Sequence, residues 1–210
     1  MKLYSRIYGD GTHDLIIIHG LFGMSDNWNT LGKKFAKHYT VHLIDLRNHG
    51  RSPHSKEFNY DVMSEDVLEY IIDNNIIQPI ILGHSLGGKV AMKFAFVHPD
   101  KLKKLIVADI SPRKYNTDFV QGLLRTLYKL PLENFVKRDE IDHVLSRAYD
   151  DSGMRLFLMK NLYRNDRKEF AWRFNIDVLL EKVSNIQDAN FINGVCNVPT
   201  HFIRGGNSNY

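Results

Sequence analysis

Ile80-Ile81-Leu82-Gly83-His84-Ser85-Leu86-Gly87-Gly88-Lys89 is the stretch whose reading decides the fold. Pro79 to Leu82 reads as a short strand, and Leu86 to Val97 as a helix. The junction, Gly83-His84-Ser85-Leu86-Gly87, matches the pattern G-x-S-x-G in the strand–turn–helix setting that the pattern requires. A turn this sharp presses backbone on backbone, and the flanking glycines remove Cβ atoms that would clash. The turn lifts the serine oxygen above the sheet, and the helix N-terminus places backbone N–H dipoles near it. Ser85 is therefore the candidate nucleophile, and the Leu86 N–H a candidate donor to a developing oxyanion. The plainer reading is an ordinary glycine-rich turn.

Working outward, Leu15-Ile16-Ile17-Ile18 is a continuous apolar run ending at Gly20, as expected of a strand buried on both faces. It runs into His19-Gly20-Leu21-Phe22-Gly23, where a tight turn can aim backbone N–H groups at the space above Ser85. Leu21 is the first choice for the second oxyanion donor. Phe22 is expected to give a side chain to the pocket, against the plainer reading of an apolar loop residue. Lys2 to Ile7 reads as an edge strand, Trp28 to Lys37 as a helix and Thr40 to Asp45 as a strand. Arg47 to Pro53 reads as loop, Asp61 to Asn74 as an amphipathic helix and Leu105 to Asp109 as a further strand. Strands alternating with helices predict an α/β fold with a parallel sheet.

The texture changes at Arg113. From there to about Asn197 the chain reads as mostly helical, and Pro199 to Arg204 returns to strand character. A helical block between two strands of one sheet reads as an inserted lid. The expected organisation is a core over 1–112, a lid over 113–197 and a core strand within 198–210.

Composition bounds the function. The chain has 210 residues, about 1.4 domain lengths. Hydrophobic residues make up 43% and charged residues 25%, as in ordinary globular chains. Apolar runs fall far short of the ~18 residues that a membrane span needs, and the N-terminus has no signal-peptide core. A cytoplasmic protein without membrane contact is expected. The net charge of +4 is too small for a nucleic-acid footprint. The single cysteine, Cys196, excludes an internal disulfide framework and reads as a small buried or half-buried side chain.

Together, the His19 to Gly23 turn and the Ser85 motif resemble the α/β-hydrolase superfamily. Arg47-Asn48-His49-Gly50, Gly83 to Gly87 with Gly88-Lys89, Trp172-Arg173-Phe174-Asn175 and Gly205-Gly206-Asn207-Ser208 narrow it. The combination is similar to the small bacterial YbfF-like esterases over nearly the whole chain. The resemblance implies a mostly parallel sheet with helices on both faces and a helical lid before the last strand seen. It also implies a serine esterase for small to medium acyl esters, working without a cofactor through an acyl-enzyme on Ser85.

Many such hydrolases carry their acid in a Gly-x-x-Asp turn after the lid. Here Gly205-Gly206-Asn207-Ser208-Asn209 has no carboxylate. Asp109 instead ends the strand after the nucleophile helix, where the YbfF-like family is similar in placing its acid. Its plainer role is to cap the next turn. The superfamily order is Ser, acid, His. After Asp109 the histidines are His143, on a charged helical stretch, and His201, at a strand start where a structural role is expected. The usual histidine follows a further helix and strand. The expectation is thus a C-terminally shortened esterase without its general base, nearly inactive in this form. Its exposed strand from Thr200 to Arg204 would invite pairing with another chain, so a homo-oligomer is possible.

His84 is expected to pack near the elbow, His19 to support the oxyanion loop through a hydrogen bond, and His49 to border the pocket. None is given base duty. The remaining histidines show no ligand spacing, so no catalytic metal is expected. Within Arg155 to Arg173 six basic residues face two acidic ones. That excess reads either as a solvated face or as attraction for an anionic acyl or phosphate group. Phe157, Leu158, Leu162, Phe170, Trp172 and Phe174 read equally as an acyl-pocket wall and as the lid's own core, and Trp172 and Arg173 are carried as pocket candidates. An Asp-nucleophile mechanism is disfavoured because position 85 is serine. The rival functions are an acyl-CoA thioesterase or acyltransferase, and a non-catalytic ligand-binding homologue.

Overall fold

Strands β1 (Ser5–Tyr8), β2 (Asp14–Ile18), β3 (Thr40–Ile44), β4 (Ile80–His84), β5 (Lys104–Ala108) and β8 (Thr200–Ile203) form one sheet in the computed structural model, which describes residues 1–187 and 194–208. Their order is β1-β3-β2-β4-β5-β8. β1 runs antiparallel to β3, and every other pairing is parallel. Parallel neighbours need crossover connections, and three helices supply them: α1 (Ser25–Phe35), α2 (Tyr60–Asp73) and α3 (Leu86–Val97).

The period of two in a strand divides the sheet's side chains between its faces. Leu15, Ile17, Val41, Leu43 and Leu82 pack with Trp28 and Phe35 of α1. Ile16, Ile18, Ile81 and Val107 pack with Val67 of α2 and with Val90 and Phe94 of α3. Both faces are covered, which explains why β2 reads as an unbroken apolar run.

Two boundaries differ by three residues from the sequence reading, the others by at most two. β1 starts at Ser5 rather than Lys2, and α1 starts at Ser25 rather than Trp28. The early start of α1 comes from tertiary capping. The Asp45 carboxylate, at the end of β3, accepts from the Ser25 N–H, and the Asn27 side chain accepts from the Met24 N–H. Backbone donors at a helix start need such partners, and Asp45 lies too far along the chain to be recognised as one.

Between β5 and its neighbour β8 the chain forms α4 (Asp118–Tyr128), α5 (Arg138–Ser146) and α6 (Ser152–Met159). A two-stranded antiparallel hairpin follows, β6 (Leu162–Arg164) with β7 (Phe170–Trp172), and then α7 (Ile176–Lys182). The hairpin was not expected. Its strands are three residues each, too short to show alternation, and the turn is made by the Asn165 side chain accepting from the N–H groups of Arg167 and Glu169. The insert seats on the rest of the chain through polar bonds. Asn175 donates to Asn48, Tyr60 Oη to the Ile186 carbonyl, and Asn161 to the Phe22 carbonyl. β8 ends the sheet, with Phe202 and Ile203 exposed. Among the described residues no helix is long and apolar enough to cross a membrane.

Candidate active site

β4 hands over to α3 at Ser85, whose φ of 50° and ψ of −116° lie far from ordinary strand or helix. Such a conformation costs about 1–3 kcal/mol in a non-glycine residue and persists only where its surroundings enforce it. They do so here. The Ser85 N–H donates to the Ala108 carbonyl of β5 at 3.0 Å, and the Lys89 N–H donates to the Ser85 carbonyl at 3.2 Å. A Cβ on Gly83 would stand 2.2 Å from the Gly87 carbonyl oxygen, and one on Gly87 would stand 2.4 Å from that of Ile18. Both positions therefore exclude any side chain, as the motif suggests.

Two cavities open at this serine. The larger, about 640 Å³, is bordered by Trp28 and Leu31 of α1, Phe119 and Leu123 of α4, and Met154 and Phe157 of α6. The smaller, about 120 Å³, is bordered by Tyr60, Lys89, Tyr115 and Thr117. Leu21, Ser85 and Val120 line both. Most of the apolar wall of the larger cavity escaped the sequence reading. Apolar residues on an amphipathic helix look the same whether they face a core or a cavity, and only their exposure separates the two: Phe119 is 63% exposed and Leu31 42%.

The turn after β2 lies directly over the serine, and a Cβ on Gly20 would come within 3.2 Å of the Ser85 Cβ. His19 holds this turn. Its Nδ1 donates to the Gly20 carbonyl at 2.7 Å, and its Nε2 accepts the Leu46 N–H at 3.0 Å. Those two partners require the neutral ring with the proton on Nδ1. Among the described residues, the Leu21 and Leu86 N–H groups have no hydrogen-bond acceptor. Phe22 contributes to the larger cavity and adopts a φ of 60°. It is also tied into the interior, its ring edge-on to Phe174 at 5.2 Å.

Asp109 follows Ala108 at the end of β5, one strand over from Ser85, with a φ of 55°. Its Oδ1 accepts the Gly205 N–H at 3.2 Å, so it bridges to the turn after β8. Asn207 and Ser208 bring no carboxylate there, and Asn209 lies outside the described residues. His84 lines the larger cavity, edge-on to Trp28. Burial lowers its pKa, and the Asp109 carboxylate opposes that shift.

Four assignments change. His49 does not border the cavity: it is fully buried behind His19, their rings 5.2 Å apart. Trp172 lies in the insert's own core, stacked on Phe174, its indole N–H donating to the Leu127 carbonyl. Arg173 points its guanidinium at the Tyr163 ring, 4.9 Å away. Neither of these two residues lines a cavity at Ser85. His201 is exposed on β8 rather than structural. Half of the basic run resolves into local contacts, Arg173 among them. Arg155 pairs with Asp142, and Arg164 donates to the Lys168 carbonyl, while Lys160 reaches the cavity. His143 sits on an exposed face beside Arg147. Among the described residues no histidine hydrogen-bonds Ser85 or Asp109, and none forms a metal-binding cluster. Cys196 is half-buried against the Ala95 carbonyl.

The two buried rings set an acid limit on the fold. Burial pushes His19 down to about 4 and His49 to about 3. Between pH 6.5 and those values the unfolded chain takes up protons that the folded chain refuses. Stability is therefore full above pH 6.5 and falls on acidification, by up to about 1.4 kcal/mol per pH unit per ring. The thermal midpoint should drop steadily from pH 6.5 to 4.5, and His49→Gln should flatten that slope. A midpoint equal in the two proteins at every pH would show that His49 titrates freely.

This geometry has relatives. The model of the alpha/beta hydrolase fold matches residues 15–190. A protein named as an esterase/lipase from Haemophilus influenzae is 38% identical over 196 residues, covering 93% of this chain and 67% of its own length. Esterase YbfF of Escherichia coli is 28% identical, covering 93% and 75%. A solved marine microorganism esterase superposes with a TM-score of 0.93 at 39% identity, covering 98% of this chain and 81% of that one. The chain spans about two thirds to three quarters of the length of these curated relatives. With the family model matching residues 15–190 and a relative 38% identical over 93% of this chain, the chain belongs to the alpha/beta hydrolase family.

Proposed function

We propose that this protein is a serine carboxylic-ester hydrolase. One observation carries the reading: a strained serine stands where two cavities meet, beside two backbone N–H groups that no acceptor among the described residues occupies. The Ser85 oxygen attacks the ester carbonyl, and the Leu21 and Leu86 N–H groups hold the oxyanion. Such donors act where charge develops and need no reorganisation in the transition state. The alcohol leaves, and water hydrolyses the acyl-enzyme.

A serine hydroxyl is scarcely ionised near pH 7, so a base must take its proton. Asp109 is the carboxylate placed to orient that base. In the order Ser, Asp, His the histidine follows Asp109, and neither His143 nor His201 fills the place.

The larger cavity suits the acyl chain, since aromatic and aliphatic side chains from α1, α4 and α6 form its wall. The 113–197 insert then serves as a lid over the 1–112 core. A thioester of coenzyme A is less well supported, because three of the six basic residues that would attract it, Arg155, Arg164 and Arg173, are engaged elsewhere. Comparing oxygen-ester with CoA-thioester turnover separates the two.

The direct test of the serine is covalent. In a form of the protein that carries the base histidine, a fluorophosphonate probe should label Ser85 within minutes, mapped by peptide mass. Slow labelling, or labelling elsewhere, would favour a ligand-binding protein built on a hydrolase fold.

A further inference from the structure

We infer that Asn161, a residue of the insert, is a positioning residue that sets the direction of the Leu21 N–H at Ser85. The inference rests on the reading of that N–H as an oxyanion donor. Asn161 lies at the junction of α6 and β6 and is 1% exposed. Its Nδ2 donates to the Phe22 carbonyl at 2.8 Å, across 139 residues, and to the Leu158 carbonyl at 3.2 Å. Two carbonyls facing the same amide atom identify it as the nitrogen, because only the nitrogen donates. Its Oδ1 is buried with no hydrogen-bond partner. Apolar packing would be better served by leucine there, so the two donated bonds are what the amide contributes.

The consequence follows from peptide geometry. In a trans peptide the C=O and N–H are fixed in one plane and point in opposite directions. Asn161 grips the Phe22 carbonyl, which fixes the Gly23 N–H on the far side of the same plane. That N–H donates to the Gly20 carbonyl at 2.9 Å. The Gly20 carbonyl in turn belongs to the peptide that carries the Leu21 N–H. With its oxygen held by Gly23 and by His19 at 2.7 Å, this peptide turns the Leu21 N–H the opposite way. Leu21 lines both cavities at Ser85. Two peptide planes thus relay the grip of Asn161 to the donor.

The left-handed conformation of Phe22, with a φ of 60°, makes the external grip necessary. A phenylalanine does not rest there unaided. His19 holds the relay from the core and Asn161 holds it from the insert. The segment that reaches the acyl cavity through Phe157 and Lys160 therefore also carries a support of the oxyanion donor.

The test uses the full chain, with Asn161→Leu, which lacks donors at similar size, and Asn161→Asp, which puts an acceptor where the nitrogen was. The first readout is hydrogen exchange at the Gly23 amide. It should speed up at least about tenfold in both variants, while the amides of β2 and α3 stay as slow as in the parent. The second readout compares an alkyl trifluoromethyl ketone with the matching methyl ketone. The Ser85 oxygen adds to the activated carbonyl carbon, its proton passes to water, and the carbonyl π pair becomes an oxyanion at the Leu21 N–H. The methyl ketone stays unreacted and reports only cavity binding. Loss of one oxyanion donor typically costs about 10²–10³-fold. Both variants should accordingly lose at least about tenfold of the preference for the trifluoromethyl ketone, with methyl ketone affinity held within about threefold.

An unchanged Gly23 amide overturns the inference whatever the ketones do. Equal losses on both ketones overturn it as well, since that is cavity damage. Faster Gly23 exchange with the preference intact also overturns it. If the parent itself shows no preference while Gly23 loosens in the variants, the positioning by Asn161 stands and the esterase reading falls.

Discussion

Ser85→Ala should abolish ester hydrolysis, lowering kcat on the order of 10⁶-fold in any form of the protein that turns over an ester. The loss is large because the proposed reaction makes the Ser85 hydroxyl oxygen the bond-forming atom, which alanine lacks. What remains should be a rate about 10³–10⁴ above water, from the oxyanion donors and from positioning. The fold should survive. The φ of 50° is enforced by the bond from the Ser85 N–H to Ala108 and by the absence of side chains at Gly83 and Gly87, none of which involves the hydroxyl. Circular dichroism and the thermal midpoint should match the parent. Retention of more than roughly a tenth of kcat, against the losses typical of nucleophile removal, would place the nucleophile elsewhere.

Asp109→Asn is expected to be the next largest effect, about 10⁴-fold in kcat by analogy with serine proteases. The carboxylate is assigned to holding a histidine in the tautomer that can accept the serine proton, and an amide favours the wrong tautomer. The substitution is nearly neutral to structure, because an amide oxygen can still accept the Gly205 N–H that Oδ1 takes now. The signature is a fall in kcat with little change in KM and an unchanged thermal midpoint. The control is Asn207→Asp, which restores a carboxylate to the turn after β8. Near-normal activity in Asp109→Asn would sink the assignment and move attention to that turn.

Much of this was legible in the residues themselves because it is local. The elbow is a contiguous pentapeptide between an apolar run and a helix, and the steric exclusion at Gly83 acts across four residues, whereas that at Gly87 is tertiary, against the Ile18 carbonyl. The turn after β2 is likewise contiguous, and His19 donates to the very next carbonyl, while its second bond, to the Leu46 N–H, is tertiary. Parallel strands covered on both faces show as unbroken apolar runs, so β2 stood out without any long-range information.

The tertiary structure alone decided what depends on convergence. His49 and Trp172 carry the residue types of a pocket, yet burial behind His19 and stacking on Phe174 remove them from it. Phe119, Leu31 and Met154 lie on ordinary amphipathic helices, and their place on the cavity follows from how α1, α4 and α6 meet. Asn161 is an unremarkable amide in the chain, and its bond to Phe22 spans 139 residues. Sequence alone determined the backbone turns, because a glycine or a short apolar run constrains its neighbours directly. Which side chains face the serine was left to packing, where the hydrophobic effect rewards burial without specifying the partner.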